Sequence, residues 1–236
     1  IHAFSPLEVW QGAKTLGLTI SDFLRELKAA GLGTLPGTAA EILDDEVRKD
    51  LCPDKINTSQ WLEVMEAAHE QGFNTTATIM YGHLERYKHI ARHLLRVKNL
   101  QRKTGGFTEF VILPFIHMES PLYLKGKARK GPSFREAVLI HAVSRLVLSP
   151  EFLNIQASWT KLGHEGIKAC LRAGVNDIGG TLMNETITRA AGASHGQETS
   201  PSEMEELIES VGRKPRQRTT SYGSVSYTHL TLPTRY

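Results

Sequence analysis

The sequence predicts an α/β protein of βα units on a parallel sheet, forming part of an eight-stranded (βα)8 barrel. Three observations predict it. Short apolar or β-branched runs alternate with longer helical patterns; polar or glycine-rich residues follow each strand candidate; and no G-x-G-x-x-G opens a helix, which disfavours an open dinucleotide-binding sheet.

The strand candidates in order are IHAFSP (1–6), TLPG (34–37), NTTATIMYG (74–82), FTEFVILPF (107–115), NIQASW (154–159) and NDIGGT (176–181). Between them lie the helical patterns LEVWQGAKTLG with TISDFLRELKAAG, TSQWLEVMEAAHEQG, LERYKHIARHLLRVKNLQRKTGG, SFREAVLIHAVSRLVL and HEGIKACLRAG. Thr58 is placed to N-cap the helix that Gly72 ends, and Ser200-Pro201-Ser202-Glu203 is a capping box whose helix closes at Gly212. Six strands are counted where a closed barrel needs eight.

Composition bounds the function. The chain has 236 residues, 40% apolar and 22% charged, with a net charge of +3 that gives no argument for nucleic acid. No apolar run approaches the roughly 18 residues of a membrane span and no signal sequence is present, so the expected compartment is the cytoplasm. The basic runs KGKARK (125–130) and RKPRQR (213–218) read as solvated segments. Cys52 and Cys170 form no C-x-x-C pair and read as structural thiols. His89 and His93, at i and i+4, could share a metal, but no carboxylate completes the site and a solvated helix face is expected.

In a barrel the strand ends converge on one face, where chemistry is built. There Gly82 permits close backbone approach, with His83 and Glu85 just beyond it. In GVNDIGGT, Asn176 and Asp177 enter a strand whose Gly179 and Gly180 admit a ligand or another backbone, and Thr181 follows. NIQASW alternates Ile155, Ala157 and Trp159 with Asn154, Gln156 and Ser158, and a row of amides and hydroxyls inside a barrel is costly unless it binds something. Glu41 follows a strand end and could accept from an amine or a hydroxyl.

IHAFSPLE, LPGTAAEIL, WLEVMEAAHEQGFNTTATIMYGHLE, TGGFTEFVILPF, NIQASWTKLG and GVNDIGGTLMNETI together resemble the radical-SAM enzymes acting on tyrosine- and chorismate-derived skeletons. AGASHGQ followed by GRKPRQRTTSYG is most similar to the tyrosine-using, CofH-type half of the FO synthase family, and the likeness runs from Ile1 to Gly223. It implies a radical-SAM TIM-type barrel, a 4Fe-4S cluster and S-adenosylmethionine (SAM). The implied reaction cleaves the Cα–Cβ bond of L-tyrosine and transfers a 4-hydroxybenzyl group to 5-amino-6-(D-ribitylamino)uracil. A CofG-type companion subunit or fused domain is implied as partner, with neither nucleic acid nor membrane.

The resemblance further places Ser5, Glu8, Gly82, Glu85, Leu113 and Pro114 around SAM. Glu41, Gln156, Trp159, Asp177 and Thr181 become candidates for substrate recognition, and Arg216 and Arg218 join them from the C-terminal signature. The family's C-x-x-x-C-x-x-C cluster loop has no counterpart, because Cys52 and Cys170 are the chain's two cysteines. The expectation is therefore a truncated barrel, strands 3 to 8 plus a C-terminal helical segment over residues 1–223, without the cluster cysteines and inactive alone. Residues 224–236 (SVSYTHLTLPTRY) have no family counterpart and read as a non-native tail.

A futalosine-pathway enzyme on the same barrel, or a ligand-binding barrel without a cluster, are the alternatives. Extending the reading frame upstream separates the last from the others. A C-x-x-x-C-x-x-C motif is expected within about 100 residues, two to three βα units, and its absence from that span would rule out the radical reading. Six strands leave two open edges, so the chain expressed alone is expected to aggregate; a cooperatively melting monomer in solution would contradict that.

Overall fold

In the computed structural model, which describes residues 1–182, 186–192 and 198–225, helices and strands alternate along the chain. The order is α1 (Pro6–Leu16), α2 (Ile20–Ala29), β1 (Thr34–Leu35), α3 (Asp45–Leu51), α4 (Thr58–Glu70), β2 (Asn74–Tyr81), α5 (Tyr87–Thr104) and β3 (Phe107–Pro114). It continues with α6 (Pro121–Leu124), α7 (Phe134–Leu148), β4 (Ile155–Ala157), α8 (Trp159–Arg172), α9 (Ile187–Ala190) and α10 (Pro201–Glu209). The four strands are parallel in the order β1-β2-β3-β4, and single bridges from His2 to Thr34 and from Gln156 to Asp177 extend the sheet at both ends. The six strand positions read from the sequence are thus occupied in chain order, the outer two by one bridge each.

Side-chain alternation divides the sheet into two faces. Ala77, Ile79 and Tyr81 of β2, Phe110 and Ile112 of β3, and Ile155 and Ala157 of β4 pack with Trp61, Met65, Leu94, Ile140 and Ile167 from the helices. A second cluster, including Val9, Leu24, Leu35 and Phe73, seats α1 and α2 against β1 and α4. The opposite face carries Thr76, Glu109 and Gln156. Thr76 accepts from the Gly37 N–H at 2.8 Å while Thr78 donates to the Gly37 carbonyl at 2.7 Å. A Cβ on Gly37 would collide with the Thr76 carbonyl, so glycine is required where the chain leaves β1.

One irregularity redirects β3. Thr75 pairs with Phe107 but Thr76 pairs with Glu109, so Thr108 is an extra residue. Its hydroxyl donates to the Thr75 carbonyl at 3.1 Å and its carbonyl accepts from Asn154 at 2.8 Å. Strict alternation would put Phe107 and Glu109 on the same face. The bulge instead leaves Phe107 in the core, stacked on Trp61 and Phe152, and turns Glu109 to the other side.

Some local expectations need correction. The cap of α4 is Asn57, which accepts from the Gln60 N–H while Gln60 accepts from the Asn57 N–H, both at 2.9 Å. Thr58 instead donates its N–H and its hydroxyl to Asp45, which ties α4 to α3. His89 and His93 are not a solvated face. His93 is fully buried, its Nδ1 accepts from the Leu43 N–H at 2.9 Å, and burial pushes its pKa down to about 3. His89 is also buried and accepts from the Arg86 N–H at 3.0 Å, so each Nδ1 already has a partner. The segment 226–236, and with it most of the expected tail, lies outside the described residues, as do residues 193–197 of the AGASHGQ stretch.

Phe110 is fully buried, with its ring 6.0 Å from Phe152 and 5.9 Å from His93. Phe110→Ala is expected to lower stability by about 3–5 kcal/mol through lost burial and the cavity left behind, measured by urea denaturation against the parent chain.

Candidate functional site

Two polar constellations stand on the sheet, one at the C-terminal ends of the strands and one on the inner face. The first is the turn after β2. Gly82 has φ +97°, the left-handed region, and a Cβ there would strike the Pro132 ring. The Gly82 and His83 N–H groups donate to the two oxygens of Glu85 at 2.7 and 2.8 Å, and Arg129 donates to Glu85 at 2.8 Å while also gripping Glu136. Arg129, from the basic run expected to be solvated, is thereby drawn onto the rim.

The Glu85 carboxylate has no exposed side-chain surface. Burial pushes its pKa up, but the nearby His83, the two N–H donors and Arg129 together bring it below the ordinary range. His83 lies against it, Nδ1 3.1 Å from Glu85 Oε2. Burial lowers its pKa, its Nδ1 accepts from the Leu84 N–H at 2.7 Å, and its Nε2 is 2.9 Å from the Met80 carbonyl. The imidazole, the two amides and the guanidinium together surround the charge on Glu85. The close neighbour of Gly82 is the chain's own loop at Gly131 and Pro132, and the Glu85 carboxylate is sealed. Both fix the shape of the rim backbone.

The second constellation lies on the inner face of the sheet. Glu109 Oε2 accepts from Gln156 Nε2 at 2.7 Å and from Arg218 Nη2 at 3.1 Å, and lies 2.6 Å from Tyr222 Oη. Asp177 accepts from the Gly179 N–H at 2.7 Å, from Tyr222 at 2.6 Å and from Arg218 Nε. Arg218 lies over the Tyr222 ring, 4.1 Å from its centroid. Three of the sequence candidates, Gln156, Asp177 and Arg218, meet here. A cavity of about 690 Å³ adjoins them, lined by Asp177, Gly179, Gly180, Thr181, Arg216 and Tyr222 among others.

The other candidates are dispersed. Ser5 donates its N–H and hydroxyl to Glu8, both at 2.7 Å, in a capping box that starts α1. Glu41 is paired with Lys55 at 2.7 Å, and its carbonyl accepts from the Met80 N–H. Leu113 is half-buried and Pro114 buried at the end of β3. Trp159 belongs to the helix-side core, on the side shared with Ile155 and Ala157, with its indole N–H donated to the Gly180 carbonyl at 3.1 Å. Thr181 is exposed, and exposed Arg216 donates to Ser224.

Glu109 and Tyr222 were missed. A lone acid in FTEFVILPF was the available signal for Glu109, because an unpaired charge in an apolar strand is costly. Tyr222 closes the GRKPRQRTTSYG stretch that had been read for its arginines alone.

For an iron-sulfur cluster the donor set does not fit. Cys52 and Cys170 are both buried and free, and burial raises both thiols, Cys170 to about 12. Among the described residues Asp44, Glu46 and His89 converge, but Lys88, Arg92 and Arg96 already pair with the two acids. No helix among the described residues is long and apolar enough to cross a membrane.

Comparison with known proteins supplies the family. Residues 104–230, more than half of the chain, match the family model described as the CofH/MqnC C-terminal region. The chain belongs to the CofH/MqnC family. It is 50% identical over 222 residues to the Methanocaldococcus jannaschii protein named 5-amino-6-(D-ribitylamino)uracil--L-tyrosine 4-hydroxyphenyl transferase, covering 94% of this chain and 62% of that one. To the FO synthase of Nocardia farcinica it is 50% identical over 225 residues, 95% of this chain and 26% of that one. The CofH/MqnC chain thus spans less than two thirds of the first relative and about a quarter of the second. In fold it is similar to methylornithine synthase (PylB), with a TM-score of 0.59 at 17% identity over 90% of this chain and 63% of that structure.

The rim constellation has a pH signature. A carboxyl lowered in the folded state stabilises the fold above its unfolded value of 4.5, and that contribution is lost as pH falls through the lowered value. Denaturation midpoints measured on either side of that range are expected to drop on acidification in the parent and to drop less in Glu85→Gln.

Proposed function

We propose that this chain is the substrate-facing part of a radical-SAM transferase of the FO synthase type. The reaction breaks the Cα–Cβ bond of L-tyrosine and moves its 4-hydroxybenzyl group to 5-amino-6-(D-ribitylamino)uracil. The observation that carries the reading is 50% identity over 94% of the chain to a protein named for that transfer. Both cofactors, the companion CofG-type unit and the cytoplasmic setting belong to this reading. The 26% coverage of the Nocardia farcinica FO synthase supports a larger multi-part enzyme as one setting.

A reductively cleaved SAM on a 4Fe-4S cluster supplies the hydrogen-abstracting radical in such an enzyme. The two buried cysteines of this chain do not provide the cluster site, and no step through it is assigned here. What its own residues contribute is orientation. Thr76, Thr78, Gln156 and Asp177 stand on rigid strand positions of one face, so polar groups of a substrate meet donors and acceptors whose geometry is already set. The rim turn after β2 is fixed through Glu85, Arg129 and Glu136, so the backbone at that strand end is held in one shape.

The test is product analysis. A protein carrying this chain together with the cluster loop, supplied with SAM, a reductant, L-tyrosine and the ribitylaminouracil, is expected to form the 4-hydroxybenzyl adduct, and the 236-residue chain alone is expected to form none. Failure of the longer protein to form it overturns the reading in favour of the MqnC-like branch of the same family.

A further inference from the structure

The inner constellation contains a count of protons that does not close with ordinary ionisation. Tyr222 Oη lies 2.6 Å from Glu109 Oε2 and 2.6 Å from Asp177 Oδ2, yet a phenol has one proton to donate. With both carboxylates ionised, one of those contacts would face lone pair against lone pair. The charges make the same point. Among the described residues Arg218 is the cation paired with the two acids, and it balances one carboxylate, which would leave a second negative charge uncompensated. Groups facing Glu109 are Gln156 from β4, Asp177 from the next strand position, Arg218 and Tyr222 from the C-terminal segment, and Thr76 across β2.

The segment that brings in Arg218 and Tyr222 is a strap. It follows α10, is tied by Arg213 to the Val175 carbonyl at 3.2 Å, and folds back so that Arg218 bridges to Ser224 and the Thr219 N–H donates to the Gly223 carbonyl at 2.9 Å. Tyr222 sits at φ +61°, a region bulky side chains disfavour, and its hydroxyl contacts are what hold it there.

We propose that Glu109 and Asp177 hold one proton between them at neutral pH, shared through the Tyr222 hydroxyl, and that Glu109 acts as a positioning residue, so that the strap is seated as the floor of the barrel interior. The role as floor of a reaction chamber rests on the transferase reading above; the seating itself does not. Burial, the largest influence on Glu109, raises its pKa, in keeping with the neutral form. The bulge at Thr108 serves this arrangement, since without it Glu109 would not face the strap. As pH rises through the raised value of Glu109, the proton leaves and the strap loosens.

The experiment follows the strap directly. Hydrogen exchange of the 213–224 segment is compared at matched pH in the parent chain, Glu109→Gln, Glu109→Ala and Tyr222→Phe, with carbon-13 carboxyl titration of glutamate in the parent. Expected are a glutamate signal at neutral pH that is not fully ionised and that Glu109→Gln lacks, and strap protection in Glu109→Gln close to the parent, because the neutral amide still accepts from Gln156 and Arg218 and leaves Asp177 as the one charge for Arg218 to balance. Protection should fall roughly tenfold or more in Tyr222→Phe and Glu109→Ala, the scale of one lost hydrogen bond within a charged network. The parent, unlike Glu109→Gln, should lose protection as pH is raised. A fully ionised Glu109 at neutral pH, or a strap as loose in Glu109→Gln as in Glu109→Ala, overturns the proposal. In the longer enzyme Tyr222→Phe is expected to lose adduct yield. A parent enzyme that makes no adduct removes the transferase reading while the exchange results still decide the seating.

Discussion

Seven residue pairs join β2 to β3, and the register of that one ladder determines which side chains are dry and which face the interior. Ala77, Ile79, Phe110 and Ile112 fall on the helix side, where α4, α5, α7 and α8 cover them. Thr76, Thr78 and Glu109 fall on the other. A slip of one residue would bury the acid in the hydrophobic layer and expose the aromatics. The single bulge at Thr108 is therefore a constraint on both faces at once, because it lets Phe107 and Glu109, two residues apart, point in opposite senses.

That constraint also shows why some of the structure was readable in the sequence and some was not. Strand positions were legible because β-branched and apolar runs bounded by Gly and Pro recur at βα spacing, and even the ends that form one bridge, at His2 and Asp177, kept that signature. The bulge was not legible. FTEFVILPF reads as clean alternation, and a two-residue period assigns Glu109 to the face of Phe107. The histidines of α5 misled for a related reason: a helix rich in Arg and Lys reads as solvated, yet His93 lies on the stripe that meets Phe110 and the loop after β1.

Within the candidate site, sequence adjacency was a poor guide to spatial partnership. Arg216 and Arg218 are two residues apart in one basic run, but the strap turns one toward Ser224 at the surface and the other between Glu109 and Asp177. Gln156, Asp177 and Arg218 were each singled out for different reasons and converge on one network, while Ser5 with Glu8 and Glu41 with Lys55 are satisfied locally. Polar residue type points to a need for partners; the pairing itself is fixed by topology, which pattern alone leaves open.

The chemistry of Arg218 explains why the inner network takes this form. A guanidinium presents several N–H donors in one plane, so Arg218 reaches Asp177 through Nε and Glu109 through Nη2 while its face covers the Tyr222 ring. A lysine at this position would supply the charge but neither the two fixed directions nor the flat surface. Because the same plane orders two acids and an aromatic, Arg218 joins Tyr222 in locking the strap and the last strand position to β3. The inner face is thereby closed by a segment more than 180 residues beyond β1, so the geometry of the interior depends on a contact of long sequence separation.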